Sequence, residues 1–245
     1  MNHTFGLIGK NINYSFSRSY FQQKFERENL PHTYRNFDLQ NLNQFQYLLE
    51  NNANLKGLNV TIPYKENIIP FLDKIDERAT LIGAVNTIKI YDDGSLEGFN
   101  TDYVGFTESI KPYLMPHHTH ALILGTGGAS KAIAFALKKL NISYYFVSRN
   151  SSNNKMLLYS ELNENLLTKY SIIINCTPLG TYPNTQNYPD IPYENINNKH
   201  LLFDLIYNPK ETKFMNLGKL NGASVCNGMK MLEVQAEEAW HIWNL

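Results

Sequence analysis

Leu122-Ile123-Leu124-Gly125-Thr126-Gly127-Gly128-Ala129-Ser130 decides the architecture of this 245-residue chain. Three branched apolar residues read as a buried strand, the glycines turn the backbone, and Ala129, Ala132, Ile133, Ala136, Leu137 and Leu140 then recur at the helical period. A strand that turns through glycines into a helix is the context in which this pattern holds a dinucleotide pyrophosphate. Gly125 permits the tight turn, Gly127 lets backbone amides approach the phosphates, and the helix N-terminus offers partial positive charge. Gly125, Thr126, Gly127, Gly128, Ala129 and Ser130 therefore form the candidate cradle, with Ser130 where a third glycine commonly stands. The Gly-Lys-Ser/Thr ending of a mononucleotide phosphate loop is absent. Without a nucleotide, the same glycines would only make a turn.

The strand that follows, Tyr144-Tyr145-Phe146-Val147, ends at Ser148-Arg149, where an NAD-binding protein places an acidic residue for the ribose 2′-hydroxyl. A guanidinium at that point can pair with a 2′-phosphate, which a carboxylate would repel. NADP is the expected cofactor, with Arg149 at its 2′-phosphate.

Outward from this segment, further strands are expected at 171–175, 201–207 and 223–226, alternating with helical stretches. Upstream, strands at 5–9, 32–39 and 58–62 alternate with helices at 19–28, 42–51 and 65–72, a βαβ pattern of parallel strands. Asp92-Asp93-Gly94-Ser95 joins 84–91 to 96–99 as an added hairpin, and 103–114 reads as a helix. The expectation is an α/β protein of two α/β domains. Residues 1–102 form a substrate-binding domain with a mostly parallel sheet, and 103–228 a Rossmann-like NADP-binding domain. The latter is shortened, since 149–171 lacks room for a full helix and strand. A final helix, 229–245, carries Leu232, Ala236, Ala239, Trp240 and Trp243 at helical spacing and could pack on either domain.

Lys plus Arg (22) balance Asp plus Glu (22), so no basic field exists to hold nucleic acid or an anionic membrane. Strand-like sequence follows directly on Met1-Asn2-His3-Thr4, without the pattern of a signal peptide, and no apolar run reaches spanning length. Cys176 and Cys226, the only cysteines, are too few for a disulfide framework. A cytoplasmic protein with a small-molecule partner is expected. The sole low-complexity tract is the polar stretch 150–154. His117-His118-Thr119-His120 lacks the carboxylate or cysteine spacing of a metal site and reads as a connector.

Polar residues interrupt the apolar pattern at the strand ends of the first domain, where open α/β sheets place ligands. Ser15 and Ser17, two apart on an expected extended segment, could clasp a carboxylate from one side. Thr61 and Lys65 follow a strand broken by Pro63. Asn86-Thr87 and Asn100-Thr101-Asp102 supply further polar groups. Each alone has an ordinary explanation as a cap, a turn or a solvated side chain.

Together they resemble the shikimate dehydrogenase family. The blocks are Ser15-Phe16-Ser17, Asn59-Val60-Thr61-Ile62-Pro63-Tyr64-Lys65-Glu66, Gly83-Ala84-Val85-Asn86-Thr87 and Gly98-Phe99-Asn100-Thr101-Asp102, then the Gly125 to Ser130 turn. Ile174-Asn175-Cys176-Thr177-Pro178-Leu179-Gly180, Asp204-Leu205-Ile206-Tyr207-Asn208-Pro209 with Thr212, and Asn227-Gly228-Met229-Lys230-Met231-Leu232 with Gln235-Ala236 complete the collinear set.

The resemblance implies reversible reduction of 3-dehydroshikimate to shikimate by NADPH in aromatic amino-acid biosynthesis, with Lys65 and Asp102 as the catalytic pair. It places Ser15 and Ser17 at the substrate carboxylate, and Thr61, Asn86, Asp102, Tyr207 and Gln235 around the ring. Ser148 and Arg149 fall at the adenosine phosphate, Thr177, Ile206, Gly228 and Met231 fall on the cofactor side, and the last helix, 229–245, completes the first domain. Met231 and Gln235, four apart, share one helical line toward the site while Leu232 and Ala236 face the core. Arg18 stands where the family commonly has proline. The alternatives are a quinate/shikimate dehydrogenase with relaxed cofactor use and a noncatalytic dinucleotide-responsive protein of the same fold. Either a monomer or a homodimer is compatible.

Overall fold

The computed structural model describes residues 2–12, 15–150 and 156–245, so most of the polar tract 150–154 lies outside the described residues. The chain divides into two compact units, Met1–Asp102 with Leu232–Leu245, and Tyr103–Met231.

In the first unit, β1 (Thr4–Gly9), α1 (Phe16–Arg27), β2 (Thr33–Asp38), α2 (Phe45–Glu50) and β3 (Leu55–Val60) lead to β4 (Lys74–Ile75), α3 (Glu77–Ile82), β5 (Thr87–Ile90) and β6 (Leu96–Phe99). The sheet order is β2-β1-β3-β5-β6-β4. β1 is parallel to both β2 and β3, and β5 pairs antiparallel with β3 and β6. Every residue of β1 is buried, as a central strand covered on both faces requires, whereas edge strand β2 mixes buried and exposed positions.

The second unit takes in most of α4 (Asp102–Ile110), then β7 (His120–Leu124), α5 (Gly128–Lys139), β8 (Ser143–Ser148), β9 (Met156–Leu158), α6 (Glu164–Lys169), β10 (Ile172–Asn175), β11 (Leu201–Asp204), α7 (Lys213–Leu220) and β12 (Ser224–Cys226). Its six strands are all parallel, in the order β12-β11-β10-β7-β8-β9. Counted from β7, this is the order 3-2-1-4-5-6 of a dinucleotide-binding sheet, with its switch point between β7 and β10. Ile172 and Ile174 of β10 join one buried layer with Ile133, Ala136 and Leu137 of α5, while Ile173 joins the opposite layer with Leu167 and Phe214. The period of two along the strand sends alternate side chains to the two faces.

Three local expectations change. Residues 65–72 form turns and a short 3-10 stretch, Ile69–Phe71, not a helix, because Pro70 removes a backbone donor inside the segment. β4 and α3 follow it without a sequence signal strong enough to find them. The segment 149–171 does hold a strand and a short helix, β9 and α6. Met156 pairs with Phe146 and Leu158 with Ser148.

The last helix, α8 (Met229–Asn244), contributes Ala236, Ala239, Ile242 and Trp243 to a core cluster with Phe5, Phe21, Phe25 and Tyr34 of the first unit. Trp243 Nε1 donates to the Ile88 carbonyl at 3.0 Å, and its indole lies where any side chain at residue 57 would sit, so Gly57 is required by close approach. Lys24, buried on α1, donates to Glu28 at 2.9 Å and to Glu237 of α8 at 2.8 Å. Tyr20 also donates to Glu237.

Candidate active site

Lys65 follows the carboxyl end of β3, and Asp102 follows that of β6. The Lys65 carbonyl accepts from the Val85 N–H at 2.7 Å, and the neighbouring Tyr64, buried, donates its hydroxyl to the Leu39 carbonyl at 2.6 Å. With its backbone pinned on both sides, Lys65 directs Nζ onto Asp102 Oδ2 at 2.6 Å. The Asp102 side chain is 2% exposed and that of Lys65 17%. A carboxylate so buried needs partners for its charge. Beyond Lys65, Asn86 Nδ2 donates to its Oδ1 at 3.0 Å, and its position at the start of α4 lets the helix dipole favour the anion.

Asn86 is itself buried and its amide is used within the protein. Its Oδ1 accepts from the Thr101 N–H (2.7 Å) and the Thr87 hydroxyl (3.1 Å), and its Nδ2 donates to Thr101 Oγ1 (3.1 Å) as well as to Asp102. The geometry makes Asn86 a support for Asp102 more than a donor left over for a substrate hydroxyl. The network continues away from the pair. Asn59 Nδ2 donates to Thr87 Oγ1 at 3.2 Å, and Tyr34, stacked on Phe21, donates to Asn59 Oδ1 at 2.8 Å. Ser17 faces the Tyr34 phenol, whose ionisation burial suppresses. One chain of buried and half-buried polar groups thus links Ser17 with Lys65. Tyr34 has no role in the sequence reading, Thr87 and Thr101 appear there only as further polar groups, and Asn59 only inside a block. Asn59 and Thr87 stand as polar residues beside buried apolar neighbours of β3 and β5, whereas Tyr34, in the polar edge strand β2, and Thr101, after β6, carry no such signal.

Ser15 and Ser17 do not lie on an extended segment. Ser15 is the N-cap of α1, and Ser17 is already in its first turn. Ser15 Oγ accepts from the Arg18 N–H at 3.2 Å, a bond that the family's proline could not make, and donates to Asn36 Oδ1 at 2.9 Å. Thr61 is half-buried, its N–H on the Ile8 carbonyl at 2.9 Å. Gln235 is half-buried on α8, one turn from buried Met231. Met231 packs in the core with Phe106 and Ile133, and Leu232 is only half-buried, so the line through Met231 and Gln235 is not a continuous open face. Van der Waals packing with Phe106 claims that side chain.

In the second unit, Gly125 has φ +104°, a left-handed conformation that favours glycine, and its N–H bonds the Val147 carbonyl at 2.9 Å. The position of its absent Cβ is 3.3 Å from Thr177 Cγ2, so the loops after β7 and β10 touch at the switch point. Gly127 caps α5, and a Cβ there would meet nothing within 4 Å. The protein leaves open the space that a bound pyrophosphate would fill, beside Gly128 and Ala129 at the start of the helix, with Thr126 between the glycines. Ser130 is fully buried and donates to the Gly127 carbonyl at 2.6 Å, which accommodates a hydroxyl where a third glycine was expected. Ser148 and the exposed Arg149 lie at the end of β8. Gly228 donates its N–H to the Ile206 carbonyl at 3.1 Å, and Tyr207 follows on the same loop. These residues fit a dinucleotide carrying a 2′-phosphate.

His117 and His118 both direct Nε2 onto the Lys199 carbonyl, at 3.0 and 3.1 Å. Among the described residues, no helix is long and apolar enough to cross a membrane.

Residues 7–88 match the family model for the shikimate dehydrogenase substrate binding domain. The chain is 40% identical over 253 residues to the shikimate dehydrogenase (NADP(+)) of Clostridium botulinum, strain Loch Maree, covering 99% of this chain and 97% of that protein. Shikimate dehydrogenase 1 from Peptoclostridium difficile superimposes with a TM-score of 0.87 at 36% identity, over 99% of this chain and 91% of that one. The Thermus thermophilus shikimate 5-dehydrogenase, solved with NADP(H) and shikimate, gives 0.87 at 29% identity, over 98% and 93%. Likeness that runs along the whole chain, in sequence and in fold, leaves one conclusion: this chain belongs to the shikimate dehydrogenase family.

Proposed function

We propose that the chain reduces 3-dehydroshikimate reversibly to shikimate with NADPH, using Lys65 and Asp102 as its acid-base pair. The observation that carries this reading is the buried contact of 2.6 Å between Lys65 Nζ and Asp102 Oδ2. NADPH, when bound, supplies the hydride. As the ketone carbon gains it, negative charge develops on the oxygen, and the Lys65 ammonium stabilises that charge and donates a proton to it. In the oxidation direction neutral Lys65 accepts the hydroxyl proton. Asp102 holds Nζ in place and retains lone pairs for a substrate hydroxyl. Asn86 fixes the rotamer of Asp102.

Thr61, Tyr207 and Gln235 surround the ring in this proposal, and Ser15 and Ser17 take the carboxylate. Ser15 does so by turning its proton from Asn36 Oδ1 to the anion. Gly125 to Ser130 hold the pyrophosphate, and Ser148 and Arg149 the 2′-phosphate. Thr177, Ile206 and Gly228 flank the nicotinamide, with Met231 behind them as packing. Residues 1–102 with the last helix are the substrate-binding domain and 103–228 the cofactor domain. A cytoplasmic monomer or homodimer without a nucleic-acid partner completes the reading, supported by the balanced charge.

Lys65→Met tests it. The substitution keeps the stem and removes the ammonium, so kcat should fall by about 10²-fold or more. Shikimate binding measured by calorimetry should persist within a few-fold. Unchanged kcat would remove Lys65 from the chemistry.

A further inference from the structure

Asp204, at the end of β11, is fully buried and has no cation beside it among the described residues. Burial pushes its carboxyl up to about 6, against the pull of three donors. These are the Thr212 hydroxyl at 2.6 Å, Asn175 Nδ2 at 3.0 Å and the Ile206 N–H at 3.0 Å. Asn175, also fully buried, accepts from the Thr177 hydroxyl (2.6 Å) and N–H (3.0 Å), and Thr177 Oγ1 accepts from the Leu179 N–H (3.3 Å). Thr212 caps α7 through the Met215 N–H at 3.3 Å. One network therefore joins the loop after β10, the loop after β11 and the start of α7.

A buried carboxylate without a cation is expensive, and an apolar side chain would fill the strand more cheaply. What an apolar residue could not do is hold two loops to one another. Both loops leave the carboxyl edge of the sheet on the β10 side of the switch point, where a dinucleotide extends its nicotinamide half.

We propose that Asp204 is a positioning residue for hydride transfer: through Asn175 and Thr212 it sets Thr177 against Ile206 and Tyr207 and so fixes the nicotinamide end of the cofactor. The proposal rests on the cofactor reading above. It assigns Asp204 no contact with substrate or with the reacting atoms. A loop displacement of about 1 Å at such a place can cost on the order of 10²-fold in rate.

Three variants test it: Asp204→Ala, Thr212→Val and Thr212→Ser. The measurements are kcat and KM for shikimate oxidation, Tm, and Kd for NADP+ and for 2′,5′-ADP, which carries the adenosine phosphates alone. Asp204→Ala and Thr212→Val should lower kcat by about tenfold or more. They should weaken NADP+ several-fold and leave 2′,5′-ADP within about twofold, since the adenosine contacts lie at β8. Thr212→Ser should restore wild-type values. If Asp204→Ala fails to fold, the Thr212 pair decides. Variants with a lowered Tm but an unchanged kcat and an unchanged ratio of the two affinities would show a purely structural role and overturn the proposal. An equal loss for both ligands would overturn it as well. Wild-type protein that binds neither ligand would instead overturn the cofactor reading, and this assignment with it.

Discussion

Asn86 donates to one oxygen of Asp102 at 3.0 Å and leaves the other to Lys65, so a neutral amide and an ammonium share one buried carboxylate. The amide has no spare hydrogen, because its second donor contact is Thr101. Asn86→Ala therefore frees the carboxylate to rotate and orphans buried Thr101 and Thr87 groups. The expected cost is about 1–3 kcal/mol of stability, read from urea unfolding, together with a fall in kcat greater than any rise in KM for shikimate.

Gly127 separates binding from folding. A Cβ there meets nothing within 4 Å, so Gly127→Val should cost no more than a weakened helix N-cap, about 1 kcal/mol. The same methyl groups would occupy the space assigned to the pyrophosphate. The variant should lose NADP+ affinity by about 10²-fold, on the order of 3 kcal/mol. Retained affinity in calorimetry would move the cradle elsewhere.

Arg149 carries the choice of cofactor. A charge-assisted bond to the 2′-phosphate is worth about 2 kcal/mol, or roughly thirtyfold. Arg149→Gln should raise KM for NADP+ by that order and leave KM for NAD+ little changed. Equal effects on both would make Arg149 a general surface contact.

The pH dependence of stability exposes Asp204. Its carboxyl is raised from 3.8 to about 6 in the folded protein, so the folded state binds the proton more tightly than the unfolded state does. The stability this adds is complete below the unfolded value and is lost as pH rises toward and through 6. Asp204→Asn lacks the titration. The unfolding free energy of the variant relative to wild type should therefore move in its favour by about 2–3 kcal/mol between pH 4 and pH 7. A difference independent of pH would mean that the folded carboxyl titrates normally.

The sequence showed most clearly what depends on local pattern. The strand-glycine-helix segment at 122–140 reads the same way in both descriptions, because the apolar period and the backbone freedom of Gly125 are local properties. Lys65 and Asp102 were paired through the family resemblance, but the support that Asn86 gives Asp102 was not legible, since it is made by β3, β5 and β6 lying side by side. Tyr34 and Asn59 were missed for the same reason: they meet across β1, from strands that are not neighbours in the sheet. Ser15 was read on an extended segment, with a helix cap as the ordinary alternative, and the cap is what forms. Its acceptance of the Arg18 N–H starts the helix there. The 65–72 segment followed an apolar period that Pro70 overrides.

Initial rates of cofactor reduction, with shikimate or quinate and with NADP+ or NAD+ under one set of conditions, test the central claim most directly. Shikimate with NADP+ should exceed shikimate with NAD+ in kcat/KM by about tenfold or more, the scale of the Arg149 contribution, and should exceed both quinate pairings. A preference for quinate with NAD+, or no turnover with shikimate, would contradict it.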